Sequence, residues 1–530
     1  MTKLALVRAS PNVTDGSSAS GDLELKADVC IIGTGAGGAV TAAVLAEAGF
    51  DVLMIEEGGY YTSNDFTMRE RDTTPRLYQE GGTRTTKDLA ISILQGKAVG
   101  GTTVVNWTTS FRTPEDVIQT WHDKHAVKGF AYADLVPHWD AIEKRLAIAK
   151  VDVASMNANN RKLYDGCKAL GWEVDTLKRN VYACLQTGFC GLGCPVNAKR
   201  SMLVTTIPDA IDAGARLVFR VRADRFVTKG NTVATLEGTL LDGEGIKPTG
   251  KKLTVTAKRF VTSCGALNSP ALFLRSGIDD APVGVRTFLH PVIGSAGIYD
   301  EDIYPYRGAP QSAASHHFAH PEGLAPSERW EGGVGFFLEA VPWYPSLSSG
   351  ASPSFGAEHL AFVKRVKNTA THIALVIDGF HDDLAGGRVT LRPSGMPLLD
   401  YPITERLWST FRFAQKKLAE MQLASGAKEV FSLHDPALHM TSKADIDRVI
   451  DAAPFDVGRL PVFTAHQMGG LAMGDDPSRS VVRSEDLRHH RIENLYVIDG
   501  SVFPTSLGVN PQESIYGLAR LMATRLAARK

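Results

Sequence analysis

The sequence predicts an α/β fold of more than one domain, and three observations carry that prediction. Residues 27 to 57 read strand, glycine turn, helix, strand. The chain has 530 residues, 44% of them hydrophobic, which is two or three domains at roughly 100 to 200 residues each. No stretch reaches the ~18 to 20 continuous apolar residues of a membrane span, so the apolar residues are there to build cores. Fifty-seven Lys and Arg against 58 Asp and Glu leave a net charge of −1. With no basic surplus, nucleic acid is not an expected partner. Six cysteines are too few for a disulfide scaffold. Residues 1 to 24 lack an apolar signal core, so the expectation is a mobile N-terminal arm on a cytoplasmic protein.

"ADVCIIGTGAGGAVTAAVLAEAGFDVLMIEE", residues 27 to 57, gives the first elements. Val29 to Ile32 is a short buried strand, and an Ala-rich helix runs on to Ala48. Gly49 stops that helix, and Val52 to Ile55 is the next strand. Between strand and helix lies Gly33-x-Gly35-x-x-Gly38. Gly33 permits a tight turn, Gly35 lets backbone amides approach a pyrophosphate, and Gly38 lets helix and sheet pack closely. The helix N-terminus favours the phosphates, and Glu56, 18 residues after Gly38, can accept from a ribose diol. This is a dinucleotide site. The motif alone leaves NAD and FAD both open.

Three later stretches narrow the choice. "GKAVGGTTVVNWTTSFR" (96 to 112) is a Gly-rich loop, and "GALNSPALFLRSGI" (265 to 278) a turn entering a short helix. "NLYVIDGSVFPTSLGVNPQESIYGLARLMATRLA" (494 to 527) is a strand, a loop and an amphipathic helix. With the first βαβ unit, and in this order, they resemble the glucose–methanol–choline (GMC) family of FAD-dependent oxidoreductases. The resemblance implies a Rossmann-like FAD-binding domain assembled from residues 25 to 115, 202 to 292 and 460 to 530. A substrate domain of α+β type, an antiparallel sheet with helices, would take 116 to 201 and 293 to 459. It also implies that Gly100, Gly101, Thr102 and Asn106 line the flavin and its pyrophosphate. Asp499 and Gly500 would lie beside the ribityl chain, the strand around Val221 against adenine, and Pro511 at the helix start facing the flavin. Relatives that carry flavin covalently do so on a histidine just before that asparagine. Here the position is Val105, which has no nucleophile, so tight but non-covalent FAD is expected.

"TAHQMGG", residues 464 to 470, holds the candidate base. A lone histidine is usually a surface or hydrogen-bonded core residue. The resemblance places His466 where the family accepts the alcohol proton or orients the alcohol, and imidazole titrates near neutrality as such a base must. The second member of the pair is Asn510, in "GVNPQES". Asn510 has a rival role, because Asn-x-x-Glu through Glu513, with Pro511 next, reads as a capping-box helix start. A helix start there also directs positive dipole at the flavin edge that becomes negative on reduction.

The remaining candidates are weaker. "CLQTGFCGLGCPVNAKRS" places Cys184, Cys190 and Cys194 in a Gly-rich loop, 184 to 201, with no C-x-x-C spacing and no fourth ligand. A structural loop is expected, with no metal site. The stretch is also similar to the loop of GMC members grouped as long-chain alcohol oxidases, with Asn197 replacing a glycine. His316 to His320, "HHFAH", reads as loop. "GGVGFFLEAVPWYP", 332 to 345, is core or the wall of a pocket for an apolar alcohol. The expected function is FAD-dependent oxidation of a hydrophobic or aromatic primary alcohol, by an oxidase or dehydrogenase. Oxygen, a quinone or a cytochrome would take the electrons. A sterol-type secondary alcohol oxidase, a non-redox lyase or photodecarboxylase, and a flavin protein without catalysis are the alternatives.

Overall fold

The computed structural model describes residues 3–279, 282–352 and 355–529. Strands Leu23–Ile32 and Val52–Glu56 are parallel, with Val29 opposite Val52 and Ile32 opposite Ile55. Helix Ala36–Glu47 crosses between them, and nine of its residues are buried. The first strand begins earlier than its apolar run. Residues 23 to 27 alternate between half-buried and exposed, and they still pair along Pro248–Thr262. The sheet runs in the order 13–15, 216–219, 52–56, 23–32, 248–262, 232–241, 221–229, and Leu495–Val497 pairs in parallel with Phe260–Thr262. Strands from the start, middle and end of the chain therefore share one sheet.

The N-terminal residues depart from the expected mobile arm. Lys3–Arg8 is a helix that buries Leu4 and Val7, an i, i+3 pair. Val13–Asp15 adds in parallel to Arg216–Phe219. Asp15 then accepts from Arg220 at 2.5 Å, so packing, pairing and charge all hold the segment on the sheet edge.

A second sheet is antiparallel for most of its width. Thr369–Val376 lies between Val292–Ile298 and Phe336–Ala340, and Glu429–Ser432 follows on the far side of Val292–Ile298. Val462–Thr464 joins its edge at Val292 and pairs in parallel with Ile91–Ile93. Those two strands come from stretches expected on the FAD side, so the sheets are more interleaved than the expected domain boundaries. The consequence for the site is direct, because the strand ending at Thr464 delivers His466 to the junction of the two sheets. Helix Gln512–Ala527 packs on the glycine-turn helix and on Tyr132–Leu146. A Cβ at Gly517 would sit 2.2 Å from Trp139 Nε1, so only glycine permits that approach.

Candidate active site

One cavity extends from the glycine turn to His466. At its first end Gly33 (φ 97°) makes the turn, and Gly35 is the cap of helix Ala36–Glu47 with no side chain bonded to the first amides. A Cβ on Gly101 would lie 2.7 Å from Gly35 Cα, so the two glycine loops touch where a pyrophosphate would run. Gly38 and Gly100 do not line the cavity; they hold its walls. A Cβ on Gly38 would meet Gly33 O at 2.0 Å, and Gly100 N–H donates to Thr34 Oγ1 at 3.0 Å. Glu56 lines the cavity and accepts from Thr34 N, Thr34 Oγ1 and Gly58 N. Burial raises its carboxyl above the ordinary range, and those three donors oppose the shift.

In the middle of the cavity lie Thr102, Asn106, Asp499 and Gly500, with Val221 towards the far wall. Asp499 accepts from Gly265 N and Ser269 Oγ on one oxygen and from Ser501 on the other. It thus fastens the 265–269 turn to the C-terminal loop. Asn106 Nδ2 donates to Gln512 Oε1 at 2.7 Å, while Asn106 Oδ1 is buried without a partner.

The other end is a polar cluster in an apolar wall. Asn510 Nδ2 stands 3.3 Å from His466 Nε2 and 3.3 Å from Glu339 Oε2. Gln311 Nε2 donates to that same Glu339 oxygen at 2.6 Å. Glu339 Oε1 and Asn510 Oδ1 are buried and unpartnered. Behind His466, His290 Nδ1 lies 3.2 Å from His466 Nδ1, and Gly508 N–H donates to His290 Nε2 at 3.1 Å. Thr464 Oγ1 donates to Leu289 O and accepts His466 N–H at 3.1 Å, locking the two histidine segments together. Burial lowers His466 to about 4 and raises Glu339 to about 8. Trp107, Val292, Ile373, Leu375 and Phe463 form the surrounding wall.

This geometry agrees with the similarities to known proteins. The family description "GMC oxidoreductase" matches residues 74–292 and 383–519, and "FAD binding domain" matches 26–67. The chain belongs to the GMC oxidoreductase family. An uncharacterised GMC-type oxidoreductase of Mycobacterium tuberculosis is 32% identical over 95% of this chain and 76% of its own length. A long-chain-alcohol oxidase of Arabidopsis thaliana is 30% identical over 95% of this chain and 67% of its own. Pyridoxine 4-oxidase from Mesorbium loti superposes with a TM-score of 0.67 at 18% identity, covering 94% of this chain and 98% of that one.

This GMC oxidoreductase is an enzyme acting on CH–OH donors and carries an FAD-binding domain. The residues present fit that cofactor: an uncapped helix start, two glycine loops in contact and the orphaned Asn106 Oδ1 all face one cavity. Of the positions expected from the sequence, Gly33, Gly35, Glu56, Gly101, Thr102, Asn106, Val221, Asp499, Gly500 and Pro511 line it together with His466 and Asn510. Gly38 and Gly100 stand behind that wall, and the capping expectation for Asn510 fails too. Pro511, not Asn510, is the cap of the last helix, and no side chain caps it. The Asn510 amide is turned to His466 and Glu339 instead, and Glu513 packs away beside Glu143. The stretch 332 to 345 divides by strand alternation. Phe336 and Leu338 enter the core, and Glu339 faces the cavity. His316 to His320 is a turn after Ala313–Ser315. Cys184, Cys190 and Cys194 are free thiols. His290 and Glu339 each carry a sequence signal as a lone titratable group in an apolar run, His290 between strands Val285–Phe288 and Val292–Ile298 and Glu339 inside Phe336–Ala340.

Proposed function

We propose that this enzyme oxidises a hydrophobic or aromatic primary alcohol to the aldehyde, with FAD held non-covalently. The observation that supports the reading is the cluster of His466, Asn510 and Glu339 set in a wall of Trp107, Val292, Ile373, Leu375 and Phe463. The polar trio can hold one hydroxyl, and the wall suits an apolar chain or ring while excluding water. Bound flavin supplies the hydride acceptor. The chain's own groups orient the hydroxyl and receive its proton, and His466, the expected acceptor, shares the cluster with Glu339. Relatives named long-chain-alcohol oxidase support the substrate class.

An anaerobic panel of primary alcohols, followed by flavin absorbance, tests this. Aliphatic and aromatic primary alcohols are expected to bleach the flavin faster than short polar ones. Air, a quinone or a cytochrome added afterwards identifies the acceptor by the return of colour. Bleaching by sterols alone would favour the secondary-alcohol reading, and no bleaching by any alcohol would end the proposal.

A further inference from the structure

Arg84 is a fully buried cation that has no contact with the polar cluster around His466. Its Nε donates to Glu80 Oε1 at 2.8 Å. Nη1 donates to Gln95 Oε1 at 2.6 Å and to Asn268 Oδ1 at 3.2 Å, and Nη2 to Gln79 Oε1 at 3.3 Å. Glu80 Oε2 also accepts from Arg392 at 3.1 Å, so that carboxylate is shared between two guanidiniums. The charge of Arg84 is thus only partly answered by Glu80, and three amide oxygens complete its set of partners. A guanidinium has donors alone, whereas a side-chain amide has one accepting and one donating end. Each amide must therefore turn its oxygen in to Arg84 and its NH2 away.

Away from Arg84 lies the cavity. Gln79, Gln95 and Asn268 line it, while Arg84 and Glu80 stand behind them. Gln79 Nε2 and Asn268 Nδ2 have no acceptor among the described residues, and Gln95 Nε2 has only Cys264 O at 3.4 Å. The three amides belong to the nucleotide end. A Cβ on Gly265 would lie 2.9 Å from Gln95 Nε2, and Gly265 N–H donates to Asp499. A Cβ on Gly96, the next residue after Gln95, would lie 2.7 Å from Thr102 Cα, beside the contact of Gly101 with Gly35. We propose that Arg84 is a positioning residue that holds the Gln79, Gln95 and Asn268 amides as donors to the pyrophosphate of bound FAD. The diphosphate then meets neutral donors of fixed direction with one cation set behind them, in addition to the backbone amides of the glycine turn. Donors held in place beforehand need no ordering when the anion binds. The inference is independent of which alcohol is oxidised.

Gln95→Glu separates this role from a purely structural one. Glutamate has the length of glutamine and accepts from a guanidinium more strongly. It also replaces the NH2 by a second carboxylate oxygen, which repels phosphate. If the network only held the fold together, the variant should melt at or above wild type and keep its FAD. The expected result is a full-length protein of undiminished Tm whose Kd for FAD is raised ~10-fold or more. Asn268→Asp makes the same exchange on the second amide bonded to Nη1 and should act in the same direction. Arg84→Lys keeps the charge without the fork that grips three oxygens, and it too should release FAD faster on dilution. In holoenzyme, the ³¹P resonances of the FAD diphosphate should move in all three variants. The release assay rests on the non-covalent reading and the ³¹P spectrum does not, so failure of the one is distinguishable from failure of the other. Gln95→Glu and Asn268→Asp that hold FAD as tightly as wild type, with their ³¹P resonances unmoved, would overturn the inference. Loss of FAD confined to Arg84→Lys would also overturn it, and would leave Arg84 a brace of the fold.

Discussion

At neutral pH the His466 imidazole is uncharged, because burial holds it at about 4, and the Glu339 carboxyl is largely protonated at about 8. The reaction end of the cavity is therefore nearly charge-neutral at rest, which favours an apolar substrate entering it. His466→Ala deletes the imidazole of the polar cluster, the expected acceptor of the alcohol proton. Flavin reduction in stopped flow should slow by ~10² to 10³-fold with FAD content unchanged. Reduction at the wild-type rate would count against any role for the imidazole. Val105 makes a second prediction at this scale. It lines the cavity next to Asn106 and has no atom that can bond to flavin. Acid precipitation should leave a colourless pellet and a yellow supernatant. Fluorescence that stays with the denatured chain would refute non-covalent binding.

The last helix shows what a sequence pattern conveys about an element and what it omits. The apolar period of 512 to 527 and the Pro at its start were legible, and the helix spans Gln512–Ala527. The capping box was not realised, because Asn510 finds stronger company in Glu339 and His466. Glu513 is fully buried, and burial, then the nearby Glu143 carboxylate, raises its carboxyl above the ordinary 4.5. The sign of the linkage follows. As pH rises past 4.5, the unfolded chain releases this proton while the folded chain keeps it, so stability falls until the folded group ionises. Glu513→Gln removes that contribution. Its Tm advantage over wild type should be small near pH 4.5 and grow as pH is raised to 8. Parallel Tm curves for the two proteins would show that Glu513 is ionised in the fold.

Over the whole molecule, the parts that lie close together along the chain were readable and the parts that join distant segments were not. Strand, glycine turn, helix and strand occupy one short stretch, so local physics announced the nucleotide end. Glu339 meets Asn510 across 171 residues and His290 meets His466 across 176, and no local pattern ties such pairs together. Lys199 is a third case of the same kind, and it links the cysteine loop to the Gly-rich loop that carries Asn106. Its Nζ donates to Cys190 O at 2.8 Å, to Asn106 O at 3.0 Å and to Val104 O. Its backbone N–H reaches Cys194 Sγ at 3.4 Å. Tyr78 O–H, on the cavity wall, donates to Gly191 O at 2.6 Å from the other side. The loop 184 to 201 is thereby a brace for the asparagine loop, and one ammonium carries most of the connection. Lys199→Met fills the same space but leaves three carbonyls without their donor, two of them on the loop that lines the cavity. Each unmet buried acceptor costs ~1 to 3 kcal/mol. The variant should therefore melt several degrees lower and release FAD more readily on dilution, read by the recovery of flavin fluorescence. Replacing Cys190 by Ser, which keeps the carbonyl and its bond to Lys199, should change FAD release far less. If Lys199→Met held its flavin as tightly as wild type, the cysteine loop would not be bracing the cofactor site.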